Sequence, residues 1–167
     1  FVDFWIRGKD TDWVEDDQIT VYNADGTVDC SVAGGARLRG NTSQVYPKKP
    51  FALKFTEKKS VLGMPKHKRW VLLANWLDHS MIRNTVAFDI AQSIEKAWRE
   101  NGSIEAGVPW NVHGKNVELI VVDKDGDAHH VGNYLLCEQI KIDENRLNIS
   151  KPYEDGGNGY LFEIDTN

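Results

Sequence analysis

The chain has 167 residues, of which 41 % are hydrophobic and 27 % are charged, as expected for one soluble domain with a sizeable core. Its net charge of -5 at pH 7 argues against a broad nucleic-acid-binding surface, because phosphate backbones attract basic faces. The longest apolar run, LIVV at 119–122, is far too short to span a bilayer. Cys30 and Cys137 lack metal-site spacing, which leaves two buried free thiols or one disulfide as the alternatives.

The first half of the chain alternates between apolar and polar residues, a pattern that predicts strands. The clearest turn signal is Asp25-Gly26, a dipeptide that tolerates the positive φ of a tight hairpin. The predicted elements are, in chain order, a strand at 1–6 (FVDFWI), an acidic connector at 13–18 (WVEDDQ), a hairpin at 19–33, paired strands at 34–40 (GGARLRG) and 50–55 (PFALKF), and a central strand at 68–76 (KRWVLLANW).

After these strands the apolar residues no longer alternate but recur at helical spacing, which predicts one long helix between Asp78 and Glu100. Asp78 or Ser80 can cap its start, and Asn101-Gly102 can end it. Twenty or so residues correspond to about 30 Å of helix. We expect its apolar stripe to pack on the sheet, with the charged residues on the other side. The stripe consists of Ile82, Val86, Ile90, Ile94 and Ala97 or Trp98.

In the last part of the chain the alternating pattern returns and again predicts strands. Residues 117–142 form two alternating runs around Asp125-Gly126, and YLFEID at 160–165 forms a final strand. An apolar strand normally leads on to more packing, so we expect residues 1–167 to be a single domain and a piece of a larger protein. The order of elements predicts an α+β fold, a mostly antiparallel sheet with one long packed helix.

Positive charge concentrates on one hairpin, ARLRGNTSQVYPKKPFALKF at 36–55. A loop of small polar residues can cradle an anion with its N–H groups, and a lysine on a neighbouring strand can add a point charge to a phosphate. The alternative is a solvated edge hairpin, whose lysines discourage aggregation. The expected anion-binding residues are Arg39, Asn41, Lys49 and Lys54.

Glu138 is unusual because it shares a strand face with Leu136 and Ile140, and a carboxylate among apolar neighbours is costly unless it is paired. One interpretation is a structural ion pair with Arg37, Arg39 or Arg83. The other is the edge of a binding pocket. Elsewhere, DKDGD at 123–127 resembles part of a calcium loop but lacks the glutamate that completes it. The scattered histidines do not predict a metal site.

Three segments resemble, in this order and at similar spacing, the spore-coat protein H (CotH) kinase family. They are RLRGNTSQVYPKKPFALKF, WVLLANWLDHSMIRN and VGNYLLCEQIKI, and the resemblance covers residues 33–142. It implies an atypical protein-kinase-like fold, of which this chain is the N-terminal-lobe portion. It also implies ATP with Mg or Mn, phosphoryl transfer to Ser/Thr hydroxyls of a protein substrate, and a bacterial extracytoplasmic or spore-surface location.

The resemblance assigns roles within the hairpin. The 36–55 hairpin takes the place of the Gly-rich loop, and Lys54 or Lys49 pairs with the phosphates. We favour Lys54, which the strand pattern directs away from Phe51 and Phe55. The catalytic carboxylates of the kinase mechanism would belong to a later lobe, so we expect no catalytic residue in this chain and little activity from it alone.

A different class of function also fits the sequence. The same fold can serve as a non-catalytic extracellular or surface module that binds protein or glycan. The six tryptophans, among them Trp5, Trp13, Trp76 and Trp110, could supply such a binding surface.

Overall fold

The computed structural model describes residues 13–103, 109–149 and 161–162. In these residues six strands form one sheet in the spatial order β1-β2-β3-β4-β6-β5, and every neighbouring pair is antiparallel. A helix between β4 and β5 completes the described fold, which confirms the α+β prediction. The elements are β1 (Val14–Tyr22), β2 (Val28–Leu38), β3 (Phe51–Val61), β4 (Met64–Leu73), α1 (Arg83–Glu100), β5 (Gly114–Val122) and β6 (Ala128–Glu138).

Tight turns occur where the sequence predicts them. Gly26 and Gly126 have φ of 85° and 91°, values that glycine adopts without strain. A further turn at Leu62-Gly63 joins β3 to β4, in a stretch for which the sequence predicts no element. The acidic connector predicted at 13–18 is wrong, because β1 begins at Val14 and pairs with β2.

Two predicted strands fall largely on residues that the structure does not describe. The segment 1–6 lies wholly outside the described residues. In the run 160–165 only Leu161 and Phe162 are described, and both are exposed without regular structure.

The two faces of the sheet carry hydrophobic clusters of different size. The larger cluster centres on Phe55, Trp70 and Tyr134 on one face. A small cluster of Val71, Leu135 and Cys137 lies on the other face. Cys30 and Cys137 are free and buried, which confirms the free-thiol alternative.

The predicted helix is confirmed, although it begins five residues later than expected. The N-cap position is occupied by Ile82, which makes no side-chain cap, so the prediction of Asp78 or Ser80 at that position is wrong. Oδ2 of Asp78 nevertheless accepts a hydrogen bond from the Arg83 N–H at 2.9 Å, which ties the preceding loop to the first turn. At the other end the Gly102 N–H donates to the Arg99 carbonyl at 3.1 Å, and Gly102 has a φ of 75°. Glycine in that conformation ends a helix without strain.

The prediction that the apolar stripe packs on the sheet is wrong. Phe88 packs on the small cluster instead, the Gln92 amide donates to the Val112 carbonyl at 3.0 Å, and the Asn116 amide donates to the Thr85 hydroxyl at 3.2 Å. The physical reason is strand alternation. Asn116 lies on the helix side of β5, whereas Val117 packs in the main core, so the sheet offers the helix little apolar area.

Candidate functional site

The basic hairpin folds into a compact loop between β2 and β3. The Arg39 N–H donates to the Pro50 carbonyl at 3.2 Å, which closes the loop. Gly40 turns the chain with a φ of 85°, and its carbonyl accepts a hydrogen bond from the Gln44 side chain. A short 3-10 turn at Thr42–Val45 fills the loop. Its backbone therefore bends back on itself beside the end of the sheet.

Lys48 joins this loop to the rest of the molecule. Its ammonium group donates to the Asn133 carbonyl, lies 4.5 Å from the centroid of the Tyr134 ring, and contacts the Met81 sulfur at 3.8 Å. The Tyr134 hydroxyl donates in turn to the Lys49 carbonyl at 3.0 Å. The three segments that carry the family resemblance therefore meet at one lysine, although they are far apart in the sequence.

A groove of about 290 Å³ opens between the loop and the segment that leads into α1. Its walls are largely apolar, and its charged groups are Arg39, Lys48 and Asp78. Such a combination is typical of sites for small ligands with a charged end. The lining residues are Arg39, Ser43, Tyr46, Lys48, Pro50, Leu73, Ala74, Asn75, Trp76, Leu77, Asp78 and Asn84.

The charged side chains of the groove differ in how readily they can bind a ligand. Burial lowers the pKa of Lys48, and the Glu118 carboxylate partly opposes this effect. The hydrogen bond from the Ser80 hydroxyl is the main reason that the pKa of Asp78 lies below its ordinary value, and the Arg83 N–H adds to it. The Asp78 carboxylate is thus ionised but already occupied with the helix start, and Arg39 and Lys48 are the cations of the groove.

Lys54 lies on the helix side of the sheet, outside the groove lining. Its side chain points away from the core residues Phe51, Leu53 and Phe55 as the strand pattern predicts. Its ammonium lies 5.8 Å from the Trp13 ring centroid. The guanidinium carbons of Arg37 and Arg69 each lie 4.9 Å from the same centroid, so Trp13 is the centre of a second basic cluster.

Two further predicted residues belong to the loop but do not line the groove. Asn41 is exposed and precedes the 3-10 turn. The Lys49 ammonium donates to the Gln44 carbonyl at 2.7 Å, which ties it to the loop itself. Of the predicted anion-binding residues, Arg39 alone lines the groove. Lys48 belongs to the same hairpin but was not among the predicted residues, because nothing in the sequence distinguishes it from its neighbour Lys49 before β6 is in place.

Glu138 lies apart from the groove, at the far end of β6. It is five residues beyond Asn133, about 17 Å at the rise of a strand. Its Oε1 lies 2.7 Å from Nη1 of Arg146, and both side chains are fully buried. The predicted structural ion pair is confirmed, but the partner is Arg146 rather than Arg37, Arg39 or Arg83. The Arg37 guanidinium lies over the Trp13 ring, and Arg39 lines the groove. Arg83 pairs with Asp78 at 3.4 Å.

The second oxygen of Glu138, Oε2, is surrounded by hydrogen-bond donors. It accepts hydrogen bonds from Trp110 Nε1 at 3.1 Å, from the His113 N–H at 2.9 Å and from His113 Nδ1 at 2.8 Å. His113 borders a cavity of about 470 Å³ next to Gln92 and Lys115. The buried glutamate thus holds strands and loops together, and the sequence offered no signal for Arg146 as its partner.

The described part of the chain holds neither a metal-binding cluster nor a membrane-spanning helix. It contains no group of three or more His, Cys, Asp or Glu side chains placed to hold a metal ion. His129 and His130 pair instead with Asp123 and Glu118 on the β5–β6 hairpin, at 3.1 Å and 2.8 Å. Within the same residues, no helix has both the length and the apolar character needed to cross a membrane.

Comparison with known families supports the resemblance. Residues 36–167 match a family model described as CotH kinase protein, which covers the loop, the groove and both partners of the buried ion pair. No curated protein sequence matches the chain.

Proposed function

Because this chain belongs to the CotH kinase protein family, we propose that it holds ATP for phosphoryl transfer to Ser/Thr hydroxyls of a protein substrate. The polyphosphate lies in the groove between the 39–50 loop and the start of α1, next to Arg39 and Lys48. The observation that carries this proposal is that all three family segments converge on Lys48 and that two of them line one groove.

The chemistry of the groove suits a nucleotide polyphosphate. Lys48 is held by Asn133 and Tyr134, so its charge is fixed in position before any ligand arrives. Arg39 adds a planar guanidinium, which can bind phosphate oxygens in a bidentate manner. The apolar walls and Trp76 offer contact area for a base or a ribose. At about 290 Å³ the groove accommodates part of a nucleotide, since sites for whole ligands usually measure about 300–1,000 Å³.

The divalent metal expected with ATP fits this arrangement only in part. Mg²⁺ is usually held by one or two carboxylates together with substrate phosphates. Asp78 is the carboxylate that lines the groove, and its oxygens accept hydrogen bonds from Ser80 and Arg83. We therefore propose that Mg²⁺ or Mn²⁺ arrives with the nucleotide, with Asp78 as its candidate protein ligand.

Calorimetric titration of the chain with MgATP tests the proposal. Arg39→Gln should weaken binding by about 10- to 100-fold, since a charge-assisted hydrogen bond contributes roughly 1.5–3 kcal/mol. Lys124→Gln is the matched control, because it removes an exposed cation from the distant β5–β6 turn and should leave the affinity unchanged. Far-UV circular dichroism of both variants establishes that the fold is retained.

Two further variants locate the phosphates. Lys54→Gln and Lys49→Gln test the residues that the sequence predicts, and in the groove arrangement both should affect affinity less than Arg39→Gln. A large loss with Lys54→Gln alone would place the phosphates at the Trp13 cluster. No binding of MgATP at millimolar concentration by the folded chain would reject nucleotide binding by these residues.

The second candidate function is a non-catalytic binding module. One observation favours it: Trp76 and Leu77 are exposed and line the groove. The other described tryptophans named for this function are engaged, since Trp13 lies among cations and Trp110 donates to Glu138. Trp5 is outside the described residues. A folded chain that ignores MgATP would favour this function.

A further inference from the structure

The cavity of about 470 Å³ at the start of β5 shares no lining residue with the groove. His113 lines it with a side chain that is 36 % exposed, whereas the Glu138 carboxylate behind this histidine is fully buried. The other walls come from the β3–β4 turn, from α1 and from the first residues of β5. The remaining lining residues are Leu62, Gly63, Met64, Pro65, Asp89, Gln92, Gly114 and Lys115.

The hydrogen bonds of Glu138 fix the tautomer of His113. Oε2 of Glu138 lies 3.1 Å from Trp110 Nε1 and 2.9 Å from the backbone nitrogen of His113, and both of these N–H groups can only donate. Oε1 lies 2.7 Å from the Arg146 guanidinium, so both carboxylate oxygens act as acceptors. Nδ1 of His113, 2.8 Å from Oε2, therefore carries the proton of the neutral imidazole, and Nε2 carries the lone pair.

The histidines of the β5–β6 hairpin are arranged differently. Nε2 of His129 and Nε2 of His130 lie 3.1 Å and 2.8 Å from neighbouring carboxylate oxygens. Among the residues that the structure describes, Nε2 of His113 has no such partner. Because Nδ1 of His113 is turned toward a fully buried carboxylate, Nε2 lies on the side of the ring that borders the cavity. His113 thus presents a lone pair of fixed direction to a space that a small molecule can enter.

We propose that Nε2 of His113 is a phosphoryl acceptor and that the cavity admits a small phosphoryl donor such as an acyl phosphate. This proposal is independent of nucleotide binding in the groove. Histidine is one of the side chains that act as nucleophiles and form covalent intermediates. The Nε2 lone pair forms a bond to phosphorus while the bond from phosphorus to the leaving group breaks, and the leaving group departs with the electron pair of that bond.

The charges around the ring support this product. The ring keeps its Nδ1 proton, so the phosphorylated imidazole is cationic, and the adjacent Glu138 carboxylate balances that charge. Lys115 lies two residues beyond His113, on the same side of the chain, and lines the cavity. Its ammonium group can attract the anionic phosphoryl group. Asp89 on α1 lines the cavity as well, and its carboxylate has the opposite effect.

Reaction of the folded chain with potassium phosphoramidate, whose leaving group is ammonia, tests the proposal. Early in the reaction we expect a single phosphoryl group in the intact mass, on His113 by fragmentation and on Nε2 by phosphorus NMR. His79 is exposed and serves as the internal reference. Reaction at His113 should be about tenfold faster than at His79, because the reacting lone pair is held in place. In urea the preference for His113 and the preference for Nε2 should both disappear.

Four variants separate the site from its surroundings. Lys115→Gln should slow the reaction at His113 about two- to fivefold, and Asp89→Asn should speed it by a similar factor, as expected for exposed charges. His113→Gln should abolish the preferred modification, whereas His130→Gln, the matched control, should leave the rate at His113 unchanged. Equal rates at His113 and His79 would overturn the proposal, and so would the Nδ1 isomer in the folded chain. If His113→Gln fails to fold, the isomer formed in the wild type still decides the outcome.

Discussion

Replacing Arg146 by methionine removes the charge partner of a carboxylate that has no access to water. Arg146 and Glu138 are both fully buried, with 2.7 Å between Nη1 and Oε1. Arg146 also donates to the carbonyls of Pro65 and Asn145 at 3.0 Å and 2.9 Å, and its guanidinium carbon lies 4.8 Å from the Trp70 ring centroid. Methionine preserves most of the volume and removes the charge and these hydrogen bonds.

The expected loss follows from the fate of Glu138. Breaking a buried pair on one side costs about 3–5 kcal/mol, because the remaining charge is left uncompensated. Glu138 retains three hydrogen bonds on Oε2, from Trp110 and from two groups of His113. We therefore expect the free energy of unfolding to fall by about 3–4 kcal/mol, in the lower part of that range. For a chain of this size this corresponds to about 7–14 °C in melting temperature.

The assay is urea unfolding followed by tryptophan fluorescence, for the wild type, Arg146→Met, Glu138→Gln and the double variant. If the loss comes from the stranded charge, the double variant should be more stable than Arg146→Met, because glutamine is neutral. Arg83→Met is the control, since that arginine is exposed and pairs at the surface, and it should unfold like the wild type. A loss below about 1 kcal/mol, or a double variant no better than Arg146→Met, would refute the reasoning.

Two other properties follow from buried titratable groups. Burial is the main reason that the pKa of His67 lies below 6.5, and the Arg146 charge adds to it. As the pH falls, His67 therefore binds a proton at a higher pH in the unfolded chain than in the folded chain. The free energy of unfolding should fall as the pH drops below about 6.5. In His67→Gln the midpoint of urea unfolding should change less between pH 7.5 and 5 than it does in the wild type. Burial raises the pKa of Cys30 and raises that of Cys137 to about 12. Neither thiol should react with iodoacetamide at pH 8 until urea unfolds the chain, and mass spectrometry would detect early modification.

Local patterns in the sequence determined the strands, the turns and the helix. Period-two alternation and the turn residues at Gly26 and Gly126 predicted the hairpins, because strand faces and turn dihedrals are properties of neighbouring residues. The same patterns predicted that Lys54 turns away from the core. Gly102 marked the C-terminal end of the helix for the same reason, since a glycine with positive φ acts on the adjacent turn.

Only the tertiary structure decided which of these elements meet. The sequence contains two adjacent lysines, and the position of β6 makes Lys48 the one that contacts Asn133 and Tyr134. A buried Glu138 predicts some cationic partner, but the path of the chain after β6 selects Arg146. The amphipathic pattern of α1 shows which side favours burial and does not show what lies against it. Pairings between distant segments depend on how the chain returns on itself, and no local property of the sequence records that path.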